Sequence, residues 1–492
     1  EPLGADRIWE DLPKGFDPGP ILQEIEVLTK KQKGLQDVLS KNPNAEEDSS
    51  LQLLLSEVTQ MLQQENKKLQ DLYTQIENRR DQIIRLGHRA AAMDVTPYRR
   101  LCENIEDRMI APIKYSPLPS EVLQADPDIT VGVLSGPDKD EKVTSYGGPK
   151  GVYGRVVSTY PWAKHTDMRM GDPICDFYRL KLFENRMVIA CADGCSWGIK
   201  PRRAAEASTK AFLDYFQHQK KQTESTRSLS ERVLEGFAEA HMAILQDYDD
   251  PEEAGQCTLL AGVLGQIQQS GAHPYASPTI TNNKDDLWAF VFGSVGDCKG
   301  FLWRKSTKEV IDLTFDEEEG RMDVSDSGGR LGPTTASCKP DLRNFSVHSV
   351  ICKPGDMLLM GSDGFHDNLD PQSLGKTPFE LGVGNMSTTW EQLAPTEAAK
   401  LKNQYRCWFL KHRVFTMSDV CPPTPKLVVN RVIRHCLQTT MKSREFMELY
   451  EGKKLPESYR DYPGKMDHTS CVCINVGVLP RPSTLQIHTG GK

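Results

Sequence analysis

The chain has 492 residues, 38% of them hydrophobic and 26% charged, which is long for one compact domain and suits two. Its 60 Lys and Arg stand against 68 Asp and Glu, a formal net charge of −8, so no global electrostatic pull toward nucleic acid or anionic lipid is expected. No apolar run reaches 18 residues, which excludes a transmembrane helix, and Glu1 to Gly15 lacks the basic-then-apolar pattern of a secretory signal, although a processed precursor would have lost one.

Residues 1–110 read as a helical arm. Ile21, Ile25, Leu28, Leu35 and Leu39 follow alternating steps of three and four, with Gln32 in the missing seam position. Leu55, Val58, Leu62, Leu69, Leu72, Ile76, Ile83 and Leu86 resume the pattern, interrupted by Glu65 and Arg79. Such spacing is an apolar seam of coiled-coil type. Asn42-Pro43-Asn44 between the two segments is turn chemistry, so an antiparallel hairpin is the simplest arrangement. Two roles fit it: an arm for docking a protein partner or for self-association, or an extension folded onto its own catalytic domain. Periodicity does not choose between them.

Residues 111–150 are rich in Pro, Gly, Ser and Asp and read as a linker or irregular lead-in. Beyond them, strands are expected at Val152–Thr159, Phe177–Phe183, Met187–Ala192, Thr258–Gly265, Trp288–Val295, Gly300–Arg304, Phe345–Ile351, Asp356–Met360 and Cys471–Val478. Helices are expected at Pro201–Phe216, Thr226–Gln246 and Leu427–Leu449. Many strands with helices inserted among them predict an α+β layered domain over 151–480, followed by a tail at 481–492. No Gly-x4-Gly-Lys-Ser/Thr phosphate loop is present. The 13 cysteines include no Cys-x-x-Cys pair, and Cys191, Cys471 and Cys473 lie in strand-like runs. Buried free thiols in a reducing compartment are the expectation, which points to the cytoplasm and leaves the nucleus open. The sequons at Asn344 and Asn385 then carry no glycosylation meaning.

The most informative feature is a set of aspartates at strand ends. Asp193-Gly194 follows Met187–Ala192, Gly296-Asp297 follows Trp288–Val295, Ser362-Asp363-Gly364 follows Met357–Gly361, and Asp467 shortly precedes the last strand. A carboxylate there can point from a rigid sheet into a shared cleft, and several would repel one another unless cations neutralise them. Oxygen-only ligands favour Mg2+ or Mn2+. A single Asp-Gly after a strand is otherwise an ordinary turn.

Ala192-Asp193-Gly194, Gly293-Ser294-Val295-Gly296-Asp297, Leu359-Met360-Gly361-Ser362-Asp363-Gly364 and Asp467-His468-Thr469-Ser470 resemble, in that order, the signatures of the metal-dependent serine/threonine phosphatases of type 2C, the PPM class. Gly255-Gln256-Cys257-Thr258 and Ser327-Gly328-Gly329-Arg330-Leu331 resemble further family segments, and the likeness runs from Val152 to Val478. It implies a four-layer α-β-β-α sandwich of two antiparallel sheets flanked by helices. It implies that Asp193 bridges two Mg2+ or Mn2+ ions, that the Gly194 carbonyl binds one of them, and that Asp363 and Asp467 complete the other's shell. Asp172, twenty-one residues before Asp193, stands where the family has an Asp near the metals, and Asp297 is structural or holds a third, looser ion. The implied reaction is hydrolysis of phosphoserine and phosphothreonine in proteins by water shared between two ions about 3.5–4 Å apart.

The departures from the pattern are local. The family's phosphate-gripping Arg falls on Asp167 and its Glu on Gly171, leaving Arg169 or Lys164 as substitutes. Cys195 replaces a His proposed as leaving-group acid, and as a nucleophile it lacks an evident base. His468 stands where Asn is usual, either as an acid beside the metals or as a satisfied local histidine. The interval between Asp363 and Asp467 is long, so an insert is expected around 375–460. Its Trp390, Arg406, Trp408, Phe409, Arg413, Arg431 and Arg434 either read phosphopeptides or form a helical pair on the sheet edge. The expected protein is an atypical active phosphatase. The competing expectation is a catalytically silent scaffold that binds partners through the arm.

Overall fold

The computed structural model describes residues 19–41, 49–111, 143–146, 151–164, 166, 168–183, 185–217, 224–246, 248–268, 287–315, 327–334, 338–415 and 423–477. The chain divides into two units, Glu1–Ala91 and Ala92–Lys492. The Asn42–Asn44 turn, most of the 111–150 lead-in, Asp167 and the 481–492 tail lie outside the described residues.

The first unit is a helical hairpin of α1 (Gly19–Lys41) and α2 (Ser49–Ala92). Leu28 and Val58, both seam residues, are 3% and 1% exposed. Gln32 interrupts the apolar stripe of α1, and its Nε2 donates to Thr59 Oγ1 at 3.0 Å. Gln32 lies near the end of α1 and Thr59 near the start of α2, so the helices run antiparallel.

Among the described residues the second unit has thirteen strands. In chain order they are β1 (Met109–Ile110), β2 (Val143–Tyr146), β3 (Val152–Ser158), β4 (Phe177–Leu182), β5 (Arg186–Ala192), β6 (Glu224–Ser225), β7 (Leu259–Gln266), β8 (Trp288–Val295), β9 (Lys299–Trp303), β10 (Val310–Asp312), β11 (Ser346–Cys352), β12 (Met357–Gly361) and β13 (His468–Asn475). β1 and β6 form a two-stranded ribbon. A six-stranded antiparallel sheet runs β10-β9-β12-β13-β3-β2, and a five-stranded antiparallel sheet runs β11-β8-β7-β5-β4. The helices are α3 (Ile199–Gln217), α4 (Thr226–Gln246), α5 (Pro395–Phe409), α6 (Pro425–Thr439) and α7 (Met441–Leu449).

Strand alternation sets the layers. In β8, Trp288, Phe290 and Phe292 face the other sheet while Ala289, Val291 and Val295 face α3 and α4. β5 repeats the rule, with Met187, Ile189 and Cys191 between the sheets and Val188, Ala190 and Ala192 toward the helices. The period of two delivers alternate residues to opposite faces, and here both faces are buried. A third apolar layer joins Val428, Val429, Val432, Ile433 and Cys436 of α6 to Phe301, Leu359, Cys471 and Cys473 of the six-stranded sheet. The result is the expected α-β-β-α sandwich.

The expected outline needs correction at four places. The second unit begins at Ala92, not near 111: Cys102, Ile105 and Ile110 are buried in the layer beneath α4. Val143–Tyr146, read as linker, is an edge strand too short to show a periodicity. Leu427–Leu449, read as one helix, breaks at Thr440, whose Oγ1 donates to Cys436 O at 2.8 Å while the Arg444 side chain donates to Leu437 O at 2.6 Å. The segment around 375–460 is no peripheral insert in its α6 portion, which covers a sheet face rather than an edge. Three of its aromatic and basic residues make structural bonds: Trp390 Nε1 donates to Lys376 O at 2.7 Å, Arg431 to Val414 O at 2.8 Å, and Arg406 pairs with Asp370 at 2.9 Å.

Candidate active site

The ends of β4 and β5 in one sheet adjoin those of β13 and β12 in the other. Each of these four ends carries an aspartate: Asp176 before β4, Asp193 after β5, Asp363 after β12 and Asp467 before β13. The Asp193 carboxyl lies within hydrogen-bonding reach of both Asp176 and Asp363. Neighbouring polar groups fix the rest of the pole. Ser362 Oγ donates to Asp176 Oδ2 at 2.6 Å and accepts from Ser470 N at 2.9 Å. Tyr160 Oη donates to Asp467 Oδ1 at 3.0 Å. Thr159 N donates to Asp467 O at 2.8 Å, and Asp467 N donates to Thr159 Oγ1 at 2.7 Å. Gly194 is demanded by a close approach, because a Cβ there would lie 2.6 Å from the Pro201 carbonyl oxygen in the first turn of α3.

Burial and mutual repulsion govern the electrostatics. Burial, reinforced by the Asp467 and Asp363 charges, pushes Asp176 up to about 7. Burial and the Asp363 charge bring Asp467 to about 7 as well, against the opposing pull of Lys465. Asp193 is driven well above the usual carboxylate range by burial and then by Asp176, Asp363 and Asp467. Asp363 behaves oppositely: burial would raise it, but the Lys465 ammonium outweighs that and holds it below the ordinary value. This ammonium bonds Asp363 and lies 3.0 Å from Asp467 Oδ2 and 3.4 Å from Asp367 Oδ2.

The pole meets the chemical requirements for a hard cation. Asp176 Oδ1 and Asp363 Oδ1 are buried without a hydrogen-bond partner among the described residues, and the donor set is all oxygen. No group of three His, Cys, Asp or Glu able to hold a metal ion occurs among the described residues. An all-oxygen donor set suits a hard cation that keeps part of its water shell, such as Mg2+.

Asp193, Asp363 and Asp467 are thus brought together, with Gly194 beside them. Asp172 Oδ2 accepts from Arg169 N at 2.6 Å within its own loop, while its Oδ1 is buried without a hydrogen-bond partner among the described residues. Arg169 and Lys164 are likewise engaged locally. Arg169 donates to Tyr160 O at 2.6 Å and stacks 4.3 Å from the Trp162 ring, while Lys164 lies 3.7 Å from Glu451 on the surface. His468 is 2% exposed and its Nδ1 accepts from Cys175 N at 3.3 Å; burial depresses it to about 4, so the ring is neutral at pH 7 and is not a ready proton donor. Burial pushes the Cys195 thiol up to about 12, which removes its thiolate at neutral pH. Asp297 occupies the β8–β9 turn, where its backbone carbonyl meets His366 Nε2 at 2.7 Å.

Three members of the pole were not picked out from the sequence. Asp176 sits directly before β4, a signal available to anyone counting strand starts as well as strand ends. Asp367 is the second Asp of the segment running from Ser362 to Asp367, and Lys465 lies two residues before Asp467.

No family model matches the chain. Over 228 residues, 45% of this chain, it is 27% identical to the PP2C-like domain-containing protein CG9801 of Drosophila melanogaster, and it covers 29% of that protein's length. Solved structures similar to the chain include the photosystem II phosphatase PBCP, at 17% identity and TM-score 0.32 over 67% of this chain and 99% of that one. A serine/threonine phosphatase of S. agalactiae matches at 12% identity and TM-score 0.34 over 66% and 99%. Stp1 of Staphylococcus aureus matches at 10% identity and TM-score 0.35 over 66% and 95%. The chain is thus similar over part of its length to a PP2C-like protein, and its second unit is a two-sheet α-β-β-α sandwich with an acidic pole.

Proposed function

We propose that the second unit is a metal-dependent phosphatase acting on phosphoserine and phosphothreonine in proteins, with Asp193, Asp176, Asp363 and Asp467 as its acidic centre. The observation that supports it most is the convergence of four strand-end carboxylates from two sheets, two of which retain buried oxygens without a donor. A bound Mg2+ or Mn2+ supplies acidity to water and a counter-charge for the phosphoryl group. Asp176 and Asp193 would hold it, since they face the part of the pole that Lys465 does not reach in direct contact.

The chain's own residues supply the shape. Ser362 orients Asp176, while Tyr160 and Thr159 fix Asp467. The Tyr160 ring meets Trp197 edge-on at 5.1 Å, and Trp197 remains 53% exposed, an apolar lip on which a peptide can lie. With Arg169 and Lys164 occupied elsewhere, Arg330 is the guanidinium assigned to the phosphoryl group, because its charge already reaches Cys195 beside Asp193-Gly194. The hairpin arm is assigned to docking or self-association.

The test is hydrolysis of p-nitrophenyl phosphate and of phosphothreonine peptides with and without Mn2+. Metal-dependent turnover, lost in Asp193→Ala and in Asp363→Ala, is expected. No turnover on any substrate, with metal demonstrably bound, would leave a silent scaffold instead. For the arm, the sedimentation mass of the full chain decides: a monomer removes self-association.

A further inference from the structure

The Lys465 ammonium contacts three carboxylates of the pole, and the chain goes to some length to hold it there. Asn368, fully buried, accepts from Lys465 N on its Oδ1 at 3.1 Å and donates from Nδ2 to Lys465 O at 3.0 Å. The same Nδ2 reaches Gly364 O at 2.7 Å, one residue beyond Asp363. The preceding Gly464 has φ +85, and a Cβ there would lie 2.4 Å from Asn368 Oδ1, so the backbone passes this point only as glycine. Gly464 N is fixed in turn by Ser373 O at 2.7 Å. A surface lysine finds a carboxylate by sampling rotamers. This one is delivered by a backbone clamp, and its side chain is 26% exposed while those of Asp363 and Asp367 are 11% and 3% exposed.

We infer that Lys465 is a tethered counter-cation: its ammonium takes the position between Asp363 and Asp467 that a second dication would need. The pole then accepts one dication, on the Asp176–Asp193 side. An ammonium and a divalent ion cannot share the same carboxylate oxygens at about 3 Å without strong repulsion, so occupancy by one excludes the other. The inference rests on the acidic-centre reading given above, but it concerns metal stoichiometry and not turnover.

The experiment is a titration of the full chain with Mn2+ alone, following free Mn2+ by electron paramagnetic resonance. Lys465→Met keeps the side chain's length and removes its charge; Lys465→Arg retains the charge. The wild type and Lys465→Arg are expected to bind one fewer Mn2+ than Lys465→Met, or to bind it about tenfold or more weakly. Without metal, Lys465→Met should melt below the wild type, and Mn2+ should raise its melting temperature by more than it raises the wild type's. If Lys465→Met is too unstable to titrate, Asn368→Ala, which frees the lysine's backbone and keeps its charge, should strengthen Mn2+ binding in the same direction. Two tight Mn2+ sites in the wild type, or identical titrations for wild type and Lys465→Met, would overturn the inference. Neither result depends on whether any phosphoester is hydrolysed, so a catalytically silent protein with the expected stoichiometry would sink the phosphatase reading alone.

Discussion

Among the charge clusters buried in the second unit, two are composed in opposite ways. In the first, Glu224 is shared by two arginines: Arg186 Nη1 lies 3.1 Å from Oε1 and Arg232 Nη1 lies 2.6 Å from Oε2, with all three side chains at most 6% exposed. Each carboxylate oxygen has a cationic donor, and the cluster ties β5, β6 and α4 together. In the second, one ammonium contacts three of five clustered aspartates, and buried oxygens are left over. Buried carboxylate oxygens that each have a cationic donor serve the fold; buried carboxylates in excess of their cations are a standing demand for one from outside.

Substitutions at the two clusters test that contrast. Asp193→Asn should lower phosphatase turnover roughly 10³-fold or more, as expected for loss of a group at the reacting centre. The same change should raise the metal-free melting temperature, because it removes a charge that burial and three neighbouring carboxylates disfavour. A lower melting temperature would show the aspartate to be structural. Glu224→Gln should do the reverse, costing about 3 kcal/mol or more in urea unfolding by stranding two guanidinium groups, with turnover per folded molecule unchanged.

A third measurement separates both clusters from the remaining buried titratable groups. His241 is fully buried; its Nδ1 accepts from Gly332 N at 3.1 Å and its Nε2 faces Cys338 O at 3.0 Å. Burial depresses it from 6.5 to about 4. A depressed histidine contributes stability that is present above its ordinary value and lost as the pH falls toward the folded one. On this basis, on the order of 3 kcal/mol should disappear between pH 6.5 and 4, and His241→Gln should flatten that slope in pH-dependent unfolding. Arg169→Ala should cost roughly 1 kcal/mol through loss of the Tyr160 bond and the Trp162 stacking, read in the same unfolding assay. Lys164→Ala, which breaks a long surface pair, should stay within about 0.5 kcal/mol and leave turnover unchanged. A large loss of turnover in the lysine variant would restore its place as a phosphate ligand.

Much of this was legible before any coordinates. The runs ending at Ala192 and Gly361 announce strands, and the Asp-Gly that follows each announces where the chain leaves the sheet. Asp176 escaped because the loop before β4 holds two aspartates, and counting back from Asp193 drew attention to Asp172 alone. Only the folded loop shows that Asp172 turns inward on Arg169 N while Asp176 enters the pole. Lys465 escaped for a different reason. Lysine near aspartate reads as solvated pairing, and the backbone clamp that sets it in the pole comes from Asn368, ninety-seven residues away. The α6 stripe of Val428, Val429, Val432, Ile433 and Cys436 was visible as a pattern, but a stripe does not say whether it covers a face or an edge.

The reciprocal bonds between Thr159 and Asp467 carry a mechanical consequence. Asp467 is the last residue before β13, and Thr159 the first after β3, so the two close the ladder between those strands like a clasp. Any occupant that pulls on this carboxylate also pulls on the clasp. Deuterium uptake at the Thr159 amide should therefore gauge what holds Asp467: slow in the wild type, where it rests against its lysine, and faster in Lys465→Met once Mn2+ draws it away.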